Sequence, residues 1–311
     1  MGEVKNEKVA VIIGPTAVGK TKLSIELAKR LNGEIISGDS MQVYRGMDIG
    51  TAKVTKEEME GIPHYMIDLK DPDEPFSVAE FQKTVRTRIQ EIAKRGKLPI
   101  IVGGTGLYIQ AVLFDYQFSE APGDDEYRRT LEELAKREGN EVVFARLQEI
   151  DPESARRIHP NNVRRVIRAL EVFHVTGRRM SALLDEQENK LLYDVALVGL
   201  TMEREKLYER INMRVDMMME QGLLEEVKRL YESGIRNCQS IQAIGYKELY
   251  DYLEGKISLA EAIDTLKLNS RRYAKRQLTW FRNKMDVAWF DVTDGPKTAE
   301  ILEYIEGKLQ V

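Results

Sequence analysis

The sequence predicts an α/β protein, a parallel sheet with helices on both faces and an all-helical lobe inserted into it. Short apolar runs such as VAVIIG, EIIS and LPIIVGG alternate over the first hundred residues with helical sequence such as TKLSIELAKRL. This alternation is typical of parallel sheets covered by helices. From Ala121 to Asn189 the sequence is charged and helical, and a strand-like run, DVALVGLTM, follows it. We therefore expect a sheet domain with C-terminal helices (1–120 and 190–311) and a helical insertion (121–189).

Composition excludes several classes of protein. The chain of 311 residues has a formal net charge of −4 and a single cysteine, Cys238, which has no partner for an internal disulfide. It also lacks Cys/His neighbours at the spacing of a zinc site, and His64, His159 and His174 are scattered. No apolar run approaches the roughly 20 residues that span a bilayer, and no signal peptide is recognisable. We expect a cytoplasmic protein with no membrane segment.

Positive charge is concentrated in two segments, although the net charge is negative. Residues 156–179 hold seven arginines and one acidic residue, Glu171, while residues 271–284 hold six basic residues and no acidic one. Such clusters can form a polyanion-binding surface on an acidic protein. A charge run by itself is more often an exposed helix face. Both interpretations stay open at the level of composition.

The segment GPTAVGKT follows an apolar strand and precedes a helix. In this G-x-x-x-x-G-K-T pattern, backbone N–H groups bind phosphate oxygens, the lysine neutralises charge and the threonine hydroxyl ligates Mg²⁺. The following helix adds its positive N-terminal dipole. The sequence therefore predicts a P-loop NTPase-like sheet, with Mg²⁺ on Thr21. The predicted phosphate-binding residues are Gly14, Pro15, Thr16, Ala17, Val18, Gly19, Lys20 and Thr21.

Two further loops follow strand-like runs. Asp39 and Gln42 lie in the loop after EIIS, and Thr105 lies in GGTGLY after LPIIV. Residues just past the carboxyl ends of parallel strands line one crevice, so Asp39 should face the ligand on the P-loop. By position alone, Asp39 is equally well explained as a turn or helix cap. The LPIIV strand does not end in the aspartate that holds magnesium in many P-loop ATPases, although Asp39 or Asp68 could take that role.

Six blocks of the chain together resemble the tRNA dimethylallyltransferases, the bacterial isopentenyl-tRNA transferase family. The blocks are GPTAVGKT, SGDSMQVYRGMDIGTAK, PHYMIDLKDP, VGGTGLY, HPNNVRRVIRALE and KRQLTWFR, in the family's order and over nearly the whole chain. The resemblance implies transfer of a dimethylallyl group from dimethylallyl diphosphate to N6 of adenosine 37, immediately 3′ of the anticodon. It implies tRNAs that read codons beginning with U, and a P-loop that holds the donor's diphosphate without hydrolysing a nucleotide.

The resemblance also implies roles for four catalytic residues. Asp39 is implied as the general base for the N6 proton, and Lys20, Thr16 and Arg214 are implied as contacts of the diphosphate. These residue types suit the chemistry, since a departing diphosphate needs positive charge and an adenine amine needs a proton acceptor. Without the resemblance, Arg214 would be interpreted as a solvated helical arginine.

The implied partner is the tRNA anticodon stem-loop, whose target base would be flipped into the site. The implied RNA contacts are Asp39, Ser40, Met41, Gln42, Thr105, Tyr127, Arg128, Arg164, Arg165, Arg168, Ile241, Gln242, Gly245, Tyr246, Lys275, Arg276, Gln277 and Arg282. Trp280 and Phe281 are either stacking platforms for bases or core residues, and aromatic residues on a helix are more often core. We expect a monomer, because the tRNA itself supplies a large partner surface.

Other activities are compatible with the same motif. An isopentenyltransferase that modifies free AMP, ADP or ATP would use a similar P-loop, but the basic clusters and the inserted lobe favour a large polyanionic acceptor. A small-molecule kinase would place ATP on the P-loop. A non-enzymatic RNA-binding module would leave Lys20, Thr21 and Asp39 without a function.

Overall fold

The computed structural model of the chain describes residues 7–116, 123–186 and 190–311. Its contacts divide into two units, one formed by Met1–Phe114 and Leu191–Val311 and the other by Asp115–Lys190. Ala121 and Asn189, the predicted ends of the insertion, lie outside the described residues.

A six-stranded parallel sheet forms the centre of the first unit, which confirms the predicted fold class. Its strands are β1 (Lys8–Ile13), β2 (Gly33–Ser37), β3 (His64–Tyr65), β4 (Leu98–Gly103), β5 (Asp194–Thr201) and β6 (Ala288–Asp291). They lie in the order β3-β2-β4-β1-β5-β6, and each neighbouring pair is parallel. The strand with the P-loop sequence, β1, is therefore central, between β4 and β5.

Helices cover both faces of the sheet and make up the second unit. In chain order, the helices of the described residues are α1 (Lys20–Arg30), α2 (Val78–Lys94), α3 (Gly106–Leu113), α4 (Asp125–Glu138), α5 (Asn140–Ile150), α6 (Pro152–Arg157), α7 (Val163–Thr176), α8 (Met180–Asp185), α9 (Arg204–Glu220), α10 (Leu223–Glu232), α11 (Tyr246–Leu253), α12 (Leu259–Lys284) and α13 (Thr298–Leu309). Across the described ranges, none of them combines the length and the apolar character needed to cross a bilayer.

The apolar run of β1 is explained by burial on both of its faces. Val9, Val11 and Ile13 belong to one hydrophobic core, and Ala10 and Ile12 belong to another. Successive side chains of a strand point to opposite faces, so a strand covered on both sides has to be apolar at every position. The central position of β1 therefore follows from its sequence.

The second unit has a hydrophobic core of its own. Leu131 of α4, Leu147 of α5 and Leu170 of α7 are fully buried in it. The buried carboxylate of Asp151 accepts hydrogen bonds from the backbone N–H and the hydroxyl of both Ser154 and Ser181. These bonds join the starts of α6 and α8. The helical lobe is therefore stabilised by a fully hydrogen-bonded carboxylate as well as by its hydrophobic core.

Close packing at the carboxyl ends of β2 and β4 predicts that Gly103 cannot be replaced. A Cβ at Gly103 would lie 2.4 Å from the carbonyl oxygen of Gly38. We expect Gly103→Ala to lower the free energy of unfolding by about 1–3 kcal/mol, measured by urea unfolding. Gly307→Ala is the control, because no atom lies within 4 Å of its new Cβ in α13 and alanine favours a helix. Unchanged stability of Gly103→Ala would contradict the close approach.

Candidate active site

The loops after β1, β2 and β4 open onto one cleft. Ile13 pairs with Gly103, and Ser37 pairs with Val102, so the three strands end at nearly the same level. The cleft has a volume of about 1030 Å³. The predicted site residues that line it are Thr16, Ala17, Gly19, Lys20, Thr21, Asp39, Gln42, Arg214 and Gln277. The sheet thus gathers residues from three loops and two distant helices, α9 and α12.

The P-loop leads directly into α1, and its backbone is arranged to bind an anion. Gly19 precedes the helix with φ of 105°, a conformation that favours glycine. No side chain caps the first turn of α1, so its N–H groups keep their hydrogen-bonding capacity for a phosphate. Gly14, Pro15 and Val18 are buried and form the base of the loop.

Lys20 is the P-loop lysine that would neutralise the charge of a bound phosphate, and its amine contacts the backbone of the loop. Its Nζ donates to the carbonyl oxygens of Gly14, at 3.0 Å, and Pro15, at 2.7 Å. Burial and the neighbouring positive charge of Arg214 lower the pKa of Lys20 to about 7, while Asp39 opposes the shift. A bound diphosphate would favour the charged form of this lysine.

Asp39 caps a turn and also faces the cleft, so its structural role in the turn is compatible with a role toward a ligand. Its Oδ1 accepts a hydrogen bond from the backbone N–H of Met41 at 2.7 Å. Burial raises the pKa of Asp39, while backbone hydrogen bonds from Met41 and Gln42 and the charge of Lys20 act against the rise. A half-buried carboxylate with a raised pKa in a cleft is suited to accept a proton.

Arg214 extends from α9 into the cleft and is not a freely solvated arginine. It lines the cleft together with Arg210 and Met217 of the same helix. Burial lowers the pKa of Arg214, and the charge of Glu58 counteracts the shift. Since an arginine stays protonated even when buried, the helix supplies a fixed positive charge beside Lys20.

Gln277 of α12 connects two of the three loops. Its side chain is 6% exposed, its Oε1 accepts from the backbone N–H of Thr16 and its Nε2 donates to the carbonyl of Gly104, both at 3.0 Å. The amide predicted to contact RNA is therefore engaged with the protein backbone. It ties the P-loop to the GGTG loop, and its RNA contact stays a prediction.

The other predicted residues of α12 differ in exposure. Lys275, Arg276 and Arg282 are exposed. Phe281 is fully buried and belongs to the core. Trp280 is half-buried, and a Cβ on Gly106 would lie 2.2 Å from its ring. Of the two aromatic residues, only Trp280 keeps a surface that a base could reach.

The segment 241–246, another predicted contact region, is mostly internal. Ile241, Gly245 and Tyr246 are buried, and Tyr246 is 0% exposed. Gln242 is exposed. Thr105, at the start of α3, has a buried hydroxyl with no hydrogen-bond partner among the described residues. Ser40 and Met41 follow Asp39 but do not line the cleft, and Met41 packs against the core.

In the helical lobe, the predicted RNA contacts fall into two groups. Arg164 and Arg165 are exposed. Arg128 and Arg168 each donate to the carboxylate of Glu171 at 2.6 Å, and Glu171 is 1% exposed. Burial would raise the pKa of Glu171, but hydrogen bonds from Arg168, Asp124 and Arg128 lower it overall. These two arginines therefore compensate a buried charge of the lobe itself.

Tyr127 also has a partner within the helical lobe. Its ring stacks on His174, with ring centroids 4.0 Å apart and an angle of 5° between the planes. The imidazole lies 3.5 Å from the carboxylate of Asp124. The stack covers one face of the Tyr127 ring, so at most the other face is available to a nucleic-acid base.

Several residues that line the cleft are not predicted from the sequence, and Tyr273 and Lys53 are two of them. Tyr273 lines the cleft, and burial together with the charge of Asp39 raises its pKa to about 12. It lies four residues before Gln277, a spacing that puts both on one helix face. Lys53 also lines the cleft, and its Nζ donates to Asp48 and Asp68, both at 2.6 Å. Asp68, the alternative magnesium ligand, is thus paired with a lysine and does not line the cleft.

The donor set of the cleft fits Mg²⁺ bound together with a diphosphate. Among the described residues, no group of three or more His, Cys, Asp or Glu side chains could hold a metal ion. Mg²⁺ usually takes one or two protein oxygens and completes its shell with phosphate oxygens and water. The Thr21 hydroxyl, at the start of α1, is the protein ligand that the motif offers.

A parallel sheet with a P-loop after its central strand, facing a half-buried carboxylate and two basic side chains, defines a P-loop-type group-transfer enzyme. The chain belongs to the IPP transferase family, whose family model matches residues 42–284.

Proteins similar to the chain over its whole length carry consistent names. A tRNA dimethylallyltransferase of Bacillus cereus (strain Q1) is 75% identical over 311 residues, 100% of this chain and 98% of that protein. A tRNA dimethylallyltransferase of Bacillus anthracis (strain CDC 684 / NRRL 3495) is also 75% identical, with the same coverage.

Solved structures agree with this assignment. The full-length tRNA isopentenylpyrophosphate transferase of Bacillus halodurans is 58% identical with a TM-score of 0.75, over 98% of this chain and 97% of that one. A eukaryotic dimethylallyltransferase acting on tRNA is 36% identical with a TM-score of 0.79, over 93% of this chain and 74% of that one.

The low pKa of Lys20 predicts that a diphosphate binds with uptake of a proton. At about pH 8 a diphosphate monoester is deprotonated, since the last phosphate pKa lies near 6, whereas Lys20, with a pKa of about 7, is mostly neutral. Because the ligand favours the charged lysine, we expect uptake of up to about one proton at pH 8, little at pH 6, and affinity that falls above pH 7.

Calorimetry in two buffers of different ionisation enthalpy measures this uptake. Lys20→Met is the control, because it removes the titrating amine and should abolish most of the uptake. Equal uptake by the wild type and Lys20→Met would show that another group takes the proton.

Proposed function

We propose that this protein transfers the dimethylallyl group of dimethylallyl diphosphate to N6 of adenosine 37, immediately 3′ of the anticodon, in tRNAs that read codons beginning with U. The observation that carries the proposal is the convergence of the P-loop lysine Lys20, the half-buried carboxylate of Asp39 and Arg214 on one cleft. The names of the relatives, tRNA dimethylallyltransferases, support the same activity.

The P-loop and Arg214 serve the donor. As the bond between C1 of the dimethylallyl group and the diphosphate oxygen breaks, its electron pair leaves with the diphosphate. The N–H groups at the start of α1, Lys20 and Arg214 stabilise that charge. Because the N–H of Thr16 is engaged with Gln277, its hydroxyl is the part left to contact the diphosphate. Mg²⁺, when bound at Thr21, supplies further neutralisation of the leaving group.

Asp39 serves the acceptor. The N6 nitrogen of adenine forms the new bond to C1 and loses one proton, which Asp39 accepts. The raised pKa of this half-buried carboxyl brings its basicity closer to what proton removal near neutral pH requires. Gln42, on the same loop, lines the cleft where the base would enter.

Exposed basic residues on two different helices suit a folded RNA as the acceptor. On α12, Arg276 and Trp280 border a second hollow of about 560 Å³, lined also by Arg272, Lys275, Thr279, Asn283 and Lys284. A basic hollow beside an aromatic ring can hold phosphates and stack a base. On α7, Arg164 and Arg165 offer further phosphate contacts. We propose that the protein acts as a monomer in the cytoplasm on the anticodon stem-loop.

Mass spectrometry of acceptor RNA tests the proposed activity directly. With dimethylallyl diphosphate and Mg²⁺, an unmodified tRNA that reads a codon beginning with U should gain one dimethylallyl group on the anticodon-loop adenosine. AMP in the same mixture should stay unmodified. Modification of AMP without modification of the tRNA would contradict the proposal and favour an adenylate isopentenyltransferase.

Asp39→Asn tests the general base. The amide keeps the shape of the side chain and can still accept from Met41, but it cannot take the N6 proton. We expect kcat to fall by about 10²–10⁴-fold, while tRNA and donor affinities change by less than about threefold. Asp73→Asn, an exposed loop position, is the control for the loss of one negative charge. Turnover within tenfold of the wild type would rule out Asp39 as the base.

The two groups of lobe arginines should respond differently to removal. Arg164→Ala should weaken tRNA binding without changing the free energy of unfolding. The slope of log K against log salt concentration should become smaller in magnitude by about 0.7–0.9, the value for one lost phosphate contact. Arg128→Ala removes a partner of buried Glu171 and should destabilise the protein by about 1–3 kcal/mol. Fluorescence anisotropy at several salt concentrations and urea unfolding measure the two effects. An unchanged salt slope in Arg164→Ala would exclude the phosphate contact.

A further inference from the structure

Glu226 of α10 is a buried carboxylate that does not line the cleft itself. It fixes a turn that forms part of the cleft wall. Its side chain accepts hydrogen bonds from three consecutive backbone N–H groups, those of Asp48 at 3.0 Å, Ile49 at 2.8 Å and Gly50 at 3.1 Å. A fourth donor is the phenol of Tyr246, at 2.6 Å. Glu226 is 2% exposed, so these four bonds replace the water that the carboxylate has lost.

The fit around Glu226 requires the neighbouring residues as well. A Cβ on Gly50 would lie 2.5 Å from the ring of Tyr246, so the ring packs directly against the glycine backbone. Burial and the charge of Glu226 raise the pKa of the Tyr246 phenol, which therefore stays a protonated donor. The turn 48–50 is thus fixed by α10 and α11, which lie far from it in the sequence.

The residues next to this turn orient the side chain of Gln42. Its Nε2 donates to the carbonyls of Thr51, at 3.2 Å, and Ala52, at 3.4 Å. Its Oε1 accepts from the hydroxyl of Ser37 at 2.8 Å, and the Ser37 oxygen accepts from the backbone N–H of Asp39 at 3.4 Å. The backbone N–H of Ala52 donates to the carbonyl of Ile49 at 3.0 Å, so a series of hydrogen bonds leads from the turn to the loop that carries Asp39.

The P-loop depends on different supports. Lys20 donates to Gly14 and Pro15 within the loop, and Gln277 of α12 holds Thr16. None of these bonds passes through the turn 48–50. A disturbance at Glu226 should therefore reach the side of the cleft with Asp39 and Gln42 and leave the diphosphate side intact.

We propose that Glu226, together with Tyr246, is a positioning residue for the acceptor half of the reaction: by fixing the turn 48–50 it orients Gln42 and the Asp39 loop toward the adenine. This inference rests on the proposed function. It also gives Tyr246 a role that needs no contact with RNA, because its hydroxyl acts through Glu226.

Kinetics of Glu226→Gln provide the first test. The amide nitrogen of Gln would face an N–H group of the turn or the hydroxyl of Tyr246. Because two donors cannot form a hydrogen bond, the turn should shift. We expect kcat with tRNA to fall about tenfold or more and the KM for tRNA to rise several-fold, with the KM for dimethylallyl diphosphate within about twofold of the wild type. Glu225→Gln is the matched control, since Glu225 is exposed on the same helix. Wild-type kcat, or an equal rise of both KM values, would overturn the proposal.

A double-mutant cycle separates action through Glu226 from direct contact with RNA. Tyr246→Phe removes only the hydroxyl and keeps the ring against Gly50, so it also serves if Glu226→Gln does not fold. If Tyr246 acts through Glu226, Tyr246→Phe as a single substitution should impair the reaction with tRNA. In the Glu226→Gln background the same substitution should add little further loss. Fully additive effects, or no effect of Tyr246→Phe, would refute this role.

Hydrogen exchange tests the structural step without relying on catalysis. In Tyr246→Phe and Glu226→Gln, the amides of residues 48–50 should exchange at least about tenfold faster, while P-loop amides keep their wild-type rates. Unchanged exchange at 48–50 would overturn the proposal whatever the substrate. If the wild type modifies AMP and not tRNA, the proposed function fails, yet the exchange rates still decide whether Glu226 holds the turn.

Discussion

The parallel alignment of β1, β2 and β4 is the constraint on which the cleft depends. Parallel strands end at one edge of a sheet, so the loops that follow them are brought together whatever their separation in the sequence. Here Gly103 lets the backbones at the ends of β2 and β4 approach more closely than a side chain at this position would permit. The P-loop and the loop that carries Asp39 are consequently adjacent.

Buried polar side chains then fix the loops that the sheet has assembled. Gln277 joins the P-loop to the GGTG loop, and Glu226 holds the turn 48–50. A buried polar group without partners is costly, and each of these side chains meets that requirement with several hydrogen bonds. The same bonds that stabilise the fold therefore determine the shape of the site.

The elements predicted from local pattern agree with the structure because local physics decides them. The apolar run before GPTAVGKT forms the central strand, and the helix follows directly after Gly19. The burial of individual residues is not part of these local patterns. Phe281 is buried, as expected for an aromatic residue on a helix, and the implied RNA contacts Tyr246 and Gln277 are buried as well, because apolar and basic positions alternate along these segments.

The sequence by itself determined the α/β class, the P-loop, the helical insertion and the resemblance to a family, since each is a pattern of neighbouring residues. Only the tertiary structure decided which polar side chains face the cleft and which are committed to the protein. Thr16 meets Gln277, and Gly50 meets Glu226, across more than 150 residues of chain. Pairings of this kind depend on how the sheet and helices pack, and no local spacing records them.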